Sequence, residues 1–208
     1  MVKAIEIRPL ARDDDRSGFS CGQPDLDRFF EHYAGQNQFK LHLAVTYVAA
    51  VEARIVGFAT VAGSSVERAS VPSARLRKRL PAYPLPVLRL ARLGVDTRAQ
   101  GLGIGKALLR HVLALAVEQR DRIGCVGVVT DAKREAVSFY QGLGFVSVDG
   151  VREGLLHGEP LPMFLAIDTI ASASKAEQAR GPGRLALLPR RRRRRLRPGP
   201  GNQFARPA

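Results

Sequence analysis

Residues 100–109 read Gln-Gly-Leu-Gly-Ile-Gly-Lys-Ala-Leu-Leu, QGLGIGKALL, with three glycines at alternate positions running straight into strong helix formers. A backbone stripped of side chains where a helix begins offers unpaired N–H groups and the positive end of the helix dipole, which suits a phosphate. The residues themselves exclude two familiar loops. The P-loop needs glycine, four residues, then Gly-Lys and a Ser or Thr that holds magnesium, but Gln100 stands first here and Ala107 last. The dinucleotide fingerprint Gly-x-Gly-x-x-Gly wants its last glycine where Lys106 stands. What remains is Gln100-x-x-Gly103-x-Gly105. The amides of Gln100, Gly101, Leu102, Gly103, Ile104 and Gly105 can wrap a pyrophosphate at close range, with Lys106 adding a cation. The other reading is a tight strand-to-helix connection that uses glycine only for its φ angles.

Outward from the loop, Pro86 to Val95 (PVLRLARLGV) is predicted as the preceding strand, with Arg89 and Arg92 on opposite faces, and the following helix runs to about Arg120. Ala4–Arg8 alternates around Ile5 and Ile7 as a first strand. Pro24 opens a helix whose Leu26, Phe29, Phe30 and Tyr33 make one buried face. Leu43–Ala50 and Arg54–Ala62 form a hairpin about a turn at Glu52, and Ser73–Leu80 is a short basic helix or turn. Cys125–Thr130 is a buried strand, Ala132–Gln141 a helix, and Phe145–Val148 and Met163–Ile167 are strands. That order predicts an α/β fold, a single mixed domain over residues 1–170, followed by a basic tail, 171–208.

The net charge of +14 belongs mostly to that tail. Residues 172–208 carry eleven basic residues, Arg190 to Arg195 among them, against Glu177 alone, a net charge of about +10. Rich in Gly, Pro and Arg, the tail is expected to be disordered, either a solvated appendage or a nonspecific anchor for nucleic acid. Two cysteines, Cys21 and Cys125, suggest no disulfide framework and fit a reducing cytoplasm. No signal peptide or bilayer-spanning run is evident, so no membrane is expected. Neither cysteine shares a metal-ligand spacing with His32, His42, His111 or His157, and no metal is expected.

A second segment adds to the loop. After Asp131-Ala132-Lys133, Ser138-Phe139-Tyr140-Gln141-Gly142-Leu143-Gly144-Phe145 ends a helix in Phe-Tyr and follows it with Gly-Phe and a strand. Together with Gln100-x-x-Gly103-x-Gly105, this resembles the GNAT family of N-acetyltransferases over roughly residues 4–168. The likeness is to its toxin branch, whose opening F-x-C-G-x-x-x-L-D-x-F is similar to Phe19–Phe29 and whose Arg-Leu-Gly-Val precedes the loop as at 92–95. The resemblance implies a mixed, largely antiparallel sheet flanked by helices, with acetyl-CoA held by Leu93, Gly94, Val95, residues 100–106, Asp131 and Lys133. Tyr140 becomes the acid that protonates the departing thiolate; its bare alternative is a core aromatic with a satisfied hydroxyl. A phenol within reach of a leaving thiolate is sound chemistry. The branch also implies aminoacyl-tRNA as acceptor, translation block, a ribbon-helix-helix antitoxin and a homodimer.

Seven basic residues and no acidic one lie from Arg68 to Arg92. Arg75, Arg77, Lys78, Arg79, Arg89 and Arg92 are the candidate RNA contacts, against the alternative of a solvated basic face. No general base is evident, and His111 reads as a core histidine. An α-amine titrating near roughly 7.7–8.0 needs little help, which favours an aminoacyl acceptor. Competing readings are a protein N-terminus or a small-molecule amine as acceptor, and a non-catalytic nucleic-acid-binding protein on the same scaffold.

Overall fold

The computed structural model describes residues 5–148 and 160–179. The strands are β1 (Glu6–Pro9), β2 (Val45–Val51), β3 (Arg54–Val66), β4 (Leu85–Val95), β5 (Gly127–Ala132), β6 (Val146–Ser147) and β7 (Leu161–Ala166). They make one sheet in the order β1-β2-β3-β4-β5-β7-β6. Neighbours are antiparallel except β4 and β5, which are parallel. The helices are α1 (Pro24–Arg28), α2 (Ala34–Phe39), α3 (Ala74–Arg77), α4 (Ile104–Arg122), α5 (Val137–Gln141) and α6 (Ile167–Ala179), with a π-helical turn over Phe29–Tyr33 joining α1 to α2. This is the mixed α/β fold expected. No helix among the described residues is long and apolar enough to cross a membrane.

The β2–β3 hairpin turns on Glu52 and Ala53, whose φ angles of 48° and 65° are both left-handed, the geometry that matches the twist of paired strands. Two bulges shape the sheet. Ala49 faces Gly57 while Ala50 faces Ile55, so β3 carries an extra residue at Val56. Thr60 faces Arg92 while Val61 faces Leu90, so β4 carries one at Ala91.

Each face of the sheet buries its own cluster. α4 lays Ile104, Leu108, Leu109, Val112 and Ala116 on one face, at helical spacing, against Ala59, Leu88, Leu90 and Val128. It comes close because Gly57 lies beneath it: a Cβ there would stand 2.9 Å from Ile104. On the other face Phe30 stacks on Phe58 at 4.4 Å, with Phe19 edge-on to both. Farther along that face, Val71, Leu76 and Leu80 cover Val87, Val129 and Phe164.

Two expectations need correction. The π-turn adds a residue to the helical repeat, so Phe29 and Phe30 stay buried while Tyr33 is turned out and is 41% exposed. The helix placed at Ala132–Gln141 starts later: Ala132 ends β5, paired with Leu161 and buried, and α5 follows a 3₁₀ turn at Arg134–Ala136. The basic segment is both of the things expected of it, a helix over α3, where Ser73 Oγ accepts the Leu76 N–H, and a turn after it. Across the boundary expected at 170, α6 begins at Ile167, which buries with Ile170 into the α4-side cluster, and it continues to Ala179. The Arg-rich run and His157 lie outside the described residues.

His111 packs its ring 4.6 Å from that of Tyr47, and its Nε2 is buried with no hydrogen-bond partner. Burial holds its pKa below the ordinary histidine value. The unfolded chain therefore binds a proton that the folded chain resists, and stability falls as pH drops below about 6.5. Urea midpoints at pH 7.5 and 5.5 are expected to differ less for His111→Phe than for the wild type. Ala53→Gly, which relieves a left-handed φ, is expected to raise stability by about 1 kcal/mol in the same assay.

Candidate active site

β4 and β5 pair at Leu88–Val128, Arg89–Val129 and Leu90–Thr130, and there the ladder stops. Both strands continue. β3 holds the β4 arm, with Ala59, Phe58 and Gly57 opposite Leu93, Gly94 and Val95, while β7 holds Asp131 and Ala132. The arms part, and between them opens a cleft of about 380 Å³ whose lining includes Leu26, Arg92, Leu93, Thr130, Ala132 and Tyr140. Thr130 Oγ1 donates to Leu90 O at 3.0 Å and closes the last rung.

Tyr140 ends α5 at the cleft wall, 6% exposed, wedged edge-on between Phe139 and Phe145. Its carbonyl accepts the N–H groups of Leu143 and Phe145, and Gly144 turns the chain with φ 91°, as its place before Phe145 predicts. Burial pushes the phenol pKa up, with a hydrogen bond to Thr130 pulling the other way. The phenol is therefore protonated at neutral pH, the form an acid needs.

Beyond the end of β4, Gly101 and Gly103 have φ of 76° and 83°, and nothing lies within 4 Å of where a Cβ on either would sit. Gly103 caps the N-terminus of α4, and no side chain takes up the helix's first amides. That is an open cradle of donors, and it fits a pyrophosphate. Both uses of glycine weighed from the sequence coincide here. Gly105 has neither a positive φ nor a tight neighbour; a Cβ there would make ordinary contact with Phe139 and Val95, 3.6 Å from each. Ile104 is buried, while Leu102 and Lys106 are exposed. Gln100 braces the loop, its Nε2 donating to Cys21 O and Val95 O at 3.1 Å each.

The Phe19–Phe29 motif explains itself in this bracing. Asp27 accepts from Ser20 Oγ at 2.8 Å and from the Cys21 N–H at 2.7 Å. Burial pushes the Asp27 carboxyl up, but these hydrogen bonds outweigh it and leave the pKa below the usual range. Ser20 O then receives the Thr97 N–H. Cys21, its thiol pushed up to about 11 by burial and by Asp27, is an inert filler beside Gly94. Asp96, 1% exposed, grips Arg98 through Nε and Nη2 at 2.8 and 2.6 Å. Thr130, Gln23 and Asp96 were not singled out from sequence. Only Asp96 carried a signal, as a carboxylate capping the turn Thr97–Ala99.

The basic residues separate. The bulge at Ala91 overturns the opposite-face reading of Arg89 and Arg92. Arg89 faces Ala62 and Arg92 faces Thr60, two residues apart on an unbulged stretch of β3, so both lie on one face. Arg89 is ion-paired to Asp131, and Lys133 Nζ donates to Gln23 Oε1 at 2.8 Å, so these rim residues are held by protein partners. Arg77 is tied to the carbonyls of Val71 and Pro72 at 2.7 and 3.0 Å. Arg75, Lys78 and Arg79 are exposed around α3. Arg92 lies over the Phe29 ring, 3.9 Å from its centroid.

A family model described as an acetyltransferase (GNAT) domain matches residues 42–147, from before β2 to the end of β6. The chain belongs to the GNAT family. As a GNAT enzyme it is an acetyl-CoA-dependent acetyltransferase. It is 35% identical over 139 residues to a tRNA-acetylating toxin of Mycobacterium tuberculosis, covering 66% of this chain and 82% of the relative. Among solved structures it resembles a tyrosine-to-phenylalanine variant of KacT (25% identity, TM-score 0.71, 81% of this chain and 98% of that one). It also resembles AtaTR bound with AcCoA (26%, 0.66, 84% and 99%). AtaT complexed with acetyl-methionyl-tRNAfMet shares the fold (24%, 0.72, 82% and 99%).

Gly103→Ala places a Cβ in the cradle and strains a φ of 83°. With strain of about 1–2 kcal/mol, acetyl-CoA binding by calorimetry is expected to weaken about tenfold, while thermal unfolding stays cooperative.

Proposed function

We propose that this GNAT enzyme acetylates the α-amine of the amino acid on charged tRNA, blocking translation as the toxin of a toxin–antitoxin pair. The observation that carries the reading is the cleft between the β4 and β5 arms. It joins a protonated phenol at Tyr140 to a half-buried guanidinium at Arg92, and Gly105 of the glycine loop packs near Phe139, the residue before Tyr140. The tRNA-acetylating relative and AtaT with acetyl-methionyl-tRNAfMet support it.

Bound acetyl-CoA supplies an activated thioester carbonyl. The uncapped amides of Gly103–Lys106 bind its phosphates, and Lys106 adds charge. The β4 arm, Leu93–Val95, has no strand partner on the cleft side and offers its backbone N–H groups to a carbonyl oxygen. The acceptor nitrogen forms the new C–N bond as the C–S bond breaks. Tyr140 gives its proton to the departing sulfur and recovers one from solvent; the amine releases its own to water. No histidine lines the cleft among the described residues. An amine with pKa near roughly 7.7–8.0 has a neutral fraction at pH 7 without one.

The partner set follows the same reading: a small ribbon-helix-helix antitoxin and a second copy of the chain, in the cytoplasm. AtaT bound to the C-terminus of the antitoxin AtaR, and KacTA with DNA, are structures of this fold. The catalytic domain takes in α6, and the basic sequence of residues 180–208 follows it.

The test is transfer of labelled acetyl from acetyl-CoA to total charged tRNA. Label is expected in alkali-labile aminoacyl ester, and Tyr140→Phe is expected to lower the rate by about 10²–10⁴ with acetyl-CoA affinity retained. Unlabelled charged tRNA, with acetyl-CoA still bound, would move the search to protein N-termini and small amines.

A further inference from the structure

Four arginines lie on the described strands. Arg8 pairs with Asp14 at 2.6 Å, Arg54 with Asp96 at 3.8 Å, and Arg89 with Asp131. Arg92 has no carboxylate; its contact is the Phe29 ring. A guanidinium half-buried against an aromatic face, with its hydrogen-bonding edge uncommitted, is a site for an anion that arrives with the substrate.

Arg92 also stands between two hollows. One is the catalytic cleft with Tyr140. The other, about 330 Å³, is lined by Asp25, Arg28, Phe29, Tyr33, Asn37 and Arg92. The π-turn makes this second hollow what it is. In an unbroken α-helix Tyr33 would follow Phe29 and Phe30 into the core; the inserted residue turns its ring outward instead. Single π-turns inside helices concentrate at functional sites. Arg28 lies over the Tyr33 ring, 5.9 Å from its centroid, and Arg28 Nη2 donates to Tyr33 Oη at 3.4 Å, which steadies the exposed ring. Asn37 adds an amide of the kind that pairs with an adenine edge.

We propose that this hollow takes the 3′-terminal nucleotide of the acceptor RNA, its base stacked on Tyr33 beside Asn37 and its phosphate on Arg92. The inference rests on the charged-tRNA reading. There the reacting amine hangs by one ester from the terminal ribose, so an amine in the Tyr140 cleft obliges that nucleotide to lie immediately beside it. The hollow that shares Arg92 with the cleft adjoins it in that way. Stacking on an aromatic ring accepts any base, and Asn37 makes the site prefer adenine.

The experiment measures binding alone, by anisotropy, with two short fluorescein-labelled RNAs of one sequence, one ending in CCA and the other lacking the terminal A. The full-length wild type is expected to bind the CCA end about tenfold more tightly. Tyr33→Ala, at an exposed position that leaves folding intact, is expected to erase that preference, and Tyr33→Phe to keep it. Arg92→Ala is expected to weaken both RNAs and to lower the salt slope by about one. Equal binding of the two RNAs by the wild type, or a preference that survives Tyr33→Ala, would overturn the assignment. The two readings fail separately. Charged tRNA that stays unlabelled while the CCA preference holds removes the acceptor; labelled tRNA with equal RNA binding removes the hollow.

Discussion

Everything at the site depends on two neighbouring strands that stop pairing partway along. β4 and β5 run parallel for three rungs and then separate, each kept straight by its other neighbour. Separation leaves backbone groups unpaired, which a buried sheet tolerates only where something else satisfies them. The vacant edge is therefore both a cost in stability and the place where a substrate amide or carbonyl belongs. The bulge at Ala91 falls just past the last shared rung, and it re-aims the β4 arm at the point where pairing ends.

The chemistry asks little of titration. Tyr140 is a phenol, protonated at neutral pH even before burial raises its pKa, and burial likewise keeps the Cys21 thiol inert. The nearby carboxylates do mechanical work. Asp27 fixes the entry loop, Asp96 holds Arg98 and through it the carbonyl of Gly18, and Asp131 restrains Arg89. With Gln100 reaching to Cys21, the N-terminal segment and the glycine loop form one braced unit, though nearly eighty residues of chain separate them.

Much of this was legible in sequence, for identifiable reasons. The glycine loop is legible because only glycine adopts φ near 80° without strain, so Gly101 and Gly103 mark their own conformation. Tyr140 was legible through its neighbours, since Gly144-Phe145 fixes the turn that follows it. The side of the sheet on which Arg92 lies was not. Period-two alternation assumes no extra residue, and LRLARLG contains nothing that announces a bulge. The outward turn of Tyr33 failed likewise, because a π-turn has no composition of its own. The ties of Arg77 and Lys133 were hidden because charge counts say nothing about which guanidinium or ammonium already has a partner.

The extra residue at position 91 also makes the pairing register of the strand an element of the design. Were the ladder regular instead, with Ala91 taking the place opposite Thr60, every side chain from 92 to 95 would exchange faces. Leu93 would be driven at the Phe58 ring, where Gly94 now leaves room, a Cβ there already standing 2.7 Å from Phe58. Arg92 would leave Phe29 for the apolar underside of α4. The bulge thus decides which side chains of the strand meet Phe58 and which meet α4, and it does so without any change in the strand's composition.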